Sequence, residues 1–131
     1  MEFKGIMAKD IMITELMTIS PAEKVAAADL IMVRNSIGAL PVIDNERLVG
    51  IITQDDIMLS RFSISVGGLQ VGDLMTRNPV TITPETPLDK IIEVMVNKQV
   101  ERLPVVTGEK LMGLVTYVQI LKKIYQLVWH H

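Results

Sequence analysis

The sequence contains no cysteine, which excludes disulfides, thiolate nucleophiles and cysteine-based zinc sites together, and fits a reducing compartment; the cytoplasm is the expected location. Its two histidines are the adjacent His130 and His131 at the far end of the chain, a pattern that reads as a purification-tag remnant, so no metal site is assigned. No imidazole therefore lies within the body of the sequence, and no pair of acids recurs at a spacing suited to proton transfer. No catalytic residue is assigned, and an enzyme is not expected.

Basic runs are missing as well. Thirteen Lys and Arg against 15 Asp and Glu leave a formal net charge of -2, with no stripe of the kind that holds a phosphate backbone, so nucleic acid is not an expected direct partner. No apolar run reaches the roughly 18 residues of a membrane span, since Asp29 interrupts "VAAADLIMV" and polar residues break the others. The opening "MEFKGIMAKDIM" has acids among its apolar residues and no h-region, and does not read as a signal peptide. A soluble protein is expected. What the chain does have is 131 residues at 49% hydrophobic content, enough for a core without staples.

It also writes one unit twice. Leu40-Pro41-Val42 recurs as Leu103-Pro104-Val105, 63 residues on, and the same offset maps Pro21 to Pro84, Gly50 to Gly113 and Thr53 to Thr116 without a gap. Asp10 and Met12 fall on Asp73 and Met75, and Met32 falls on Met95. Register kept over about fifty residues indicates internal duplication.

Each copy predicts β-α-β-β-α. "MTIS" and "VTIT" are short strand candidates ending in Ser20-Pro21 and Thr83-Pro84. These pairs read as helix starts, Ser20 with Glu23 forming a capping box. Helices are predicted over "AEKVAAADLIMVR" and "LDKIIEVMVNK", with Leu88, Ile91, Ile92, Met95 and Val96 on one inward face of the second. Two hairpins follow, turning at Asp44 to Arg47 and at Thr107 to Lys110, and their second strands, "LVGIIT" and "LMGLVT", are apolar enough to be covered on both faces. A last helix follows Thr53 and Thr116 in turn, and "SISVGGLQ" links the halves.

The two final strands end differently. "GIITQDDI" carries Asp56 three residues after Thr53, whereas "GLVTYVQI" has Gln119 there. One reading makes Thr53 and Asp56 a helix cap, with Thr116 and Gln119 a capping box of their own. The other starts from the same geometry: a strand ending at a helix start presents backbone N–H groups and a hydroxyl outward, and a carboxylate adds the capacity to accept two vicinal hydroxyls, as in a ribose, which an amide does not match. The residues admit both.

Taken together, the duplicated Leu-Pro-Val hairpins and "GIITQDDI" resemble a pair of cystathionine β-synthase (CBS) domains over residues 9–62 and 72–125. Repeat 1 with its lead-in segment is assigned to 1–62, a linker to 63–70 and repeat 2 with its C-terminal helix to 71–131. The resemblance implies an α/β fold of tandem repeats packed through their sheets with pseudo-twofold symmetry, leaving two clefts for adenosine ligands. Carried over by position, the main cleft would use Thr53, Asp56, Leu74, Met75, Thr76, Val100, Glu101 and Arg102. The second, weakened by Gln119, would use Thr116, Gln119, Ile11, Met12, Ile13, Ile37, Gly38 and Ala39.

Arg102 or Arg77 is a candidate for phosphate, Arg102 being the better placed, and either reads equally well as a surface residue. Glu101 would repel a triphosphate more than a neutral base or a monophosphate and so favours AMP or an uncharged adenosine moiety over ATP. The nine methionines read as core filling, Met75 alone as a contact for an adenine. The function implied is a regulatory sensor: AMP, ADP, ATP or S-adenosylmethionine, a regulatory ligand and not a catalytic cofactor, shifts the population of conformers. The signal passes to a separate regulated protein, and a homodimer is expected by analogy. The competing reading is a ligand-free assembly module.

Overall fold

In the computed structural model, residues 5–60 and 68–129 are described. Most of the linker assigned to 63–70, and the terminal histidine pair, lie outside them. The elements run α1 (Ala8–Ile11), α2 (Val25–Asn35), β1 (Ala39–Asp44), β2 (Arg47–Thr53), α3 (Gln54–Ser60), α4 (Val71–Leu74), β3 (Thr76–Arg77), α5 (Leu88–Lys98), β4 (Arg102–Thr107), β5 (Lys110–Thr116) and α6 (Tyr117–Trp129). This is the mixed α/β pattern that the repeat predicts.

The compact units and the sequence repeats divide the chain differently. One unit is residues 17–79, and the other combines residues up to 16 with those from 80 onward. The lead-in segment of each sequence copy is thus built into the hairpin of the other copy. Thr76 and Arg77 form β3 on the edge of β2, opposite Ile51 and Gly50, giving a sheet ordered β1-β2-β3. Ile13 bridges Leu114 of β5 with both hydrogen bonds made, at 2.8 and 3.0 Å.

Both hairpins form as predicted. Ala39 to Asp44 pair with Thr53 to Arg47, and Arg102 to Thr107 pair with Thr116 to Lys110. In the first, Asn45 and Glu46 both have positive φ, 49° and 65°, the primed turn that suits strand twist. The predicted opening strands "MTIS" and "VTIT" shrink to single parallel bridges, Ile19 with Val42 and Ile82 with Val105. Proline explains both ends. Ile19 N–H donates to the Pro41 carbonyl (3.1 Å) and Ile43 N–H to the Ile19 carbonyl (2.8 Å). The next rungs would need N–H groups from Pro21 and Pro41, which have none. Pro84 and Pro104 stop the Ile82 bridge in the same way.

The predicted helix start at Ser20-Pro21 is also displaced. Ser20 Oγ accepts from Ala22 N–H (3.2 Å) in a local turn, and α2 begins at Val25. The intervening backbone is tied elsewhere: Val25 N–H donates to the Leu69 carbonyl (3.0 Å), and Val71 N–H to that of Glu23 (2.8 Å). Around Thr83-Pro84 the pattern repeats, with Leu88 N–H donating to the Ile6 carbonyl and Ala8 N–H to that of Thr86, both 2.9 Å. The lead-in segments claim the groups that a longer helix would have used.

Each unit has its own core. Val25, Ala28 and Met32 of α2 pack with Leu40, Val42, Ile52, Ile57, Val71 and Met75. Leu88, Ile91 and Met95 of α5 pack with Ala8, Leu103, Val105, Val115 and Ile120. Met32 and Met95 fill these cores as expected. Val96, assigned to the inward face, is 69% exposed, because at 100° per residue it falls off the edge of the Leu88-Ile91-Met95 stripe. Both helices end in left-handed residues, Ser36 (φ 53°) and Gln99 (φ 55°), which turn the chain into the next strand.

Candidate functional site

β2 delivers Thr53 to the head of α3, and the cap there is complete in both directions. Thr53 N–H donates to Asp56 Oδ2 (2.8 Å), Thr53 Oγ1 donates to the same oxygen (3.0 Å), and Asp56 N–H donates back to Thr53 Oγ1 (3.3 Å). The first free N–H of α3, that of Gln54, is taken by the Gly38 carbonyl at 2.9 Å. So the residues just before Leu40-Pro41 are fastened to the strand end, and Ala39 lies opposite Thr53 in the hairpin.

The equivalent place in the other unit is built more loosely. Tyr117 N–H donates to the Glu101 carbonyl (3.0 Å), and Arg102 lies opposite Thr116. Thr116 Oγ1 accepts from Gln119 N–H at 3.4 Å, and among the described residues no bond returns from the Gln119 side chain. The capping box read there from the sequence has one arm only. A neutral amide oxygen is a weaker acceptor than a carboxylate, and the longer side chain loses more freedom in making the bond.

Of the main-cleft residues, Thr53, Asp56, Leu74, Met75 and Thr76 therefore belong to one unit, together with Ile37, Gly38 and Ala39. Val100, Glu101 and Arg102 belong to the other, together with Thr116, Gln119, Ile11, Met12 and Ile13. Met75, read as an adenine contact, is 8% exposed and packed in its own unit's core. Arg77 donates through Nη2 to the Gly72 carbonyl (3.2 Å). Arg102 Nη1 stands 3.9 Å from Glu101 Oε2, a long ion pair on a partly exposed side chain.

Two pairs of residues that the sequence marked only as landmarks have structural work in this site. Asp10 and Asp73 accept the backbone N–H groups of Met7 (2.8 Å) and Gln70 (2.9 Å) and so close α1 and α4. Gly50 and Gly113 leave room for the segments lying across them: a β-carbon at Gly50 would stand 2.8 Å from the Thr76 carbonyl oxygen, and one at Gly113 would stand 2.9 Å from that of Ile13. The signal was available, since an Asp, a Met and a Gly keep one offset. Among the described residues no group of His, Asp and Glu is arranged to hold a metal, and no helix is long and apolar enough to cross a membrane.

The CBS domain family model matches residues 8–62 and 71–126. The chain belongs to the CBS domain family. Two solved structures show how widely this CBS pair's architecture is shared. CBSX2 in complex with AMP is 28% identical, with a TM-score of 0.86 over 95% of this chain and 99% of that one. The CBS domain pair of protein MJ0100, in complex with 5-methylthioadenosine and S-adenosyl-L-methionine, is 27% identical, with a TM-score of 0.82 over 91% and 95%. By sequence, inosine-5'-monophosphate dehydrogenase of Korarchaeum cryptofilum is 36% identical over 83% of this chain but only 22% of its own length. The corresponding enzyme of Methanocaldococcus jannaschii matches over 23% of its length. The chain thus spans under a quarter of either enzyme. Protein YlbB of Bacillus subtilis is 34% identical over 82% of this chain and 75% of its own length.

Proposed function

We propose that this CBS pair is a regulatory module, not an enzyme, that binds an adenosine nucleotide or S-adenosylmethionine and passes the event to a separate protein as a change of shape. Thr53 and Asp56 hold the ribose, within the unit that also carries Leu74, Met75 and Thr76. The observation that carries the reading is Asp56, an acid at the head of α3 whose counterpart at the head of α6 is Gln119. The AMP complex of CBSX2 and the S-adenosylmethionine complex of MJ0100 support the ligand class. The ligand acts by its differential affinity for the conformers it meets. The module works in the cytoplasm as a homodimer.

Thermal denaturation with AMP, ADP, ATP and S-adenosylmethionine tests it. A ligand at a hundred times its Kd adds about 2.7 kcal/mol, several degrees in midpoint for a domain of this size. If none of the four moves the midpoint, the reading fails.

A second reading has its own support. The reciprocal Thr53–Asp56 cap accounts for both side chains without a ligand, and α6 carries an exposed stripe at every fourth position, Tyr117, Leu121, Tyr125 and Trp129. Apolar residues aligned in this way suit association, so an assembly module with empty clefts is the alternative. Self-association without any ligand response would favour it.

A further inference from the structure

We propose that the exposed face of α6 in one copy of this chain docks on the α3 face of a second copy, so that unlike faces meet; this rests on the homodimer reading above and is independent of the ligand. Both tyrosines of the chain and its one tryptophan, Tyr117, Tyr125 and Trp129, lie on α6, and all three are exposed. Tyr125 and Trp129 stand one turn apart with ring centroids 6.4 Å from each other, and Leu121 is exposed one turn before them. Tyrosine and tryptophan are enriched among the side chains that anchor protein interfaces. A ridge of them left in solvent is a surface built to be covered.

The complementary surface is carried by the other repeat. The offset of 63 residues sets Met58 of α3 on Leu121 of α6, and both are exposed. Leu59, next to Met58, is 72% exposed, and α2, which packs beside α3, carries exposed Leu30 and Val33. Charge is where the two faces differ. α3 holds Asp55 and Asp56 with no Lys or Arg, whereas α6 holds Lys122 and Lys123 with no Asp or Glu. Among the described residues Asp55, Lys122 and Lys123 take part in no ion pair, so nothing described within the protomer neutralises them. An α6 face against its own kind would set lysine against lysine, and an α3 face against its own kind would set carboxylate against carboxylate, and both are disfavoured. α6 against α3 covers both apolar patches and brings opposite charges together. Every copy carries both faces, which makes a second copy the partner that the pattern fits.

The test is sedimentation equilibrium of the whole chain at low ionic strength, as parent, Asp55→Lys, Lys122→Glu and the double variant. Each single change sets like charges across the contact and should weaken self-association by about tenfold or more. The double variant exchanges the two charges and should return to within about threefold of the parent. If Asp55→Lys melts well below the parent, Asp55→Asn and Lys122→Gln replace the reversals. Each of these alone should weaken association by about threefold, and the pair by no more than either alone; losses that multiply overturn the contact. It is equally overturned if the charge-exchanged double variant associates no better than the single ones, or if a single reversal leaves association unchanged or tightens it, as it would where like faces meet. A parent that associates without rescue in the double variant thus removes this contact and keeps the homodimer. A parent that stays monomeric removes both, and leaves the α6 ridge to an acidic partner other than this chain.

Discussion

The sulfur of Met75 lies 2.6 Å from the point where a β-carbon on Gly50 would stand, and the sulfur of Met12 lies at the same distance from that point on Gly113. Each glycine is a seat for a methionine brought in from the other sequence repeat. A bend of the thioether relieves the sulfur contact, but Thr76 O and Ile13 O, at 2.8 and 2.9 Å, belong to backbone and must move with their strands.

Gly50→Ala should therefore lower stability by about 1–3 kcal/mol, the range for overpacking a close contact, and Gly113→Ala by a similar amount. In a Met75→Ala background, which itself loses core packing, Gly50→Ala should cost less than in the parent yet still destabilise, since the carbonyl stays in place. Urea denaturation of the single and double variants decides this, and a Gly50→Ala change that costs nothing in that background would show that the sulfur alone made the conflict.

The two caps should differ in worth. Thr53→Val keeps the shape of the side chain and removes both hydroxyl bonds, at 3.0 and 3.3 Å, a loss of about 1 kcal/mol. Thr116→Val removes a single bond of 3.4 Å and should cost about half of that or less. Equal losses in chemical denaturation would contradict the asymmetry seen here.

Ser36 and Gln99 occupy the left-handed region without being glycine. Relief of that strain in Ser36→Gly and Gln99→Gly should outweigh the added freedom of the unfolded chain and raise stability by about 0.5–1 kcal/mol. Scanning calorimetry should show higher midpoints with the fold unchanged, and a lower midpoint in either variant would refute the strain.

On α6, Leu121 and Tyr125 are 59% and 56% exposed. Leu121→Lys and Tyr125→Lys should weaken self-association by about tenfold or more, as loss of an aromatic anchor does, while leaving the melting of the isolated protomer nearly unchanged. Sedimentation equilibrium reads the first effect. An unaltered association constant, or a chain that does not associate at all, would exclude this face as a site of self-association.

Much of the fold was legible because the chain repeats. The Leu-Pro-Val hairpins and the helices after Thr53 and Thr116 stand where periodicity and turn residues put them. The opening strands were misjudged because proline acts on both partners of a parallel bridge, and its effect at Pro41 is seen only once Ile19 is known to lie beside Val42. The start of α2 was misjudged for a related reason. Ser20, Pro21 and Glu23 form a sound local helix signal, yet backbone groups from Leu69 to Val71, far along the chain, compete for the same donors and acceptors. At the candidate site the residue types were legible and the cap was one of the two meanings they allowed. The choice of oxygen at Asp56 was not, because it depends on torsion angles that spacing does not report.

Ile51 meets Thr76 across 25 residues of chain, whereas Ile13 must wait for Leu114, 101 residues later. Two contacts of the same design therefore carry unequal loop-closure entropies, by about 1.2 kcal/mol for a fourfold difference in length. During synthesis, the β1-β2 hairpin and its β3 partner are complete before the ribosome has made the hairpin that Ile13 needs. Residues 5–16 thus leave the ribosome well before their anchor does, and in the finished protein their amides should exchange with deuterium ahead of those of β1 and β2.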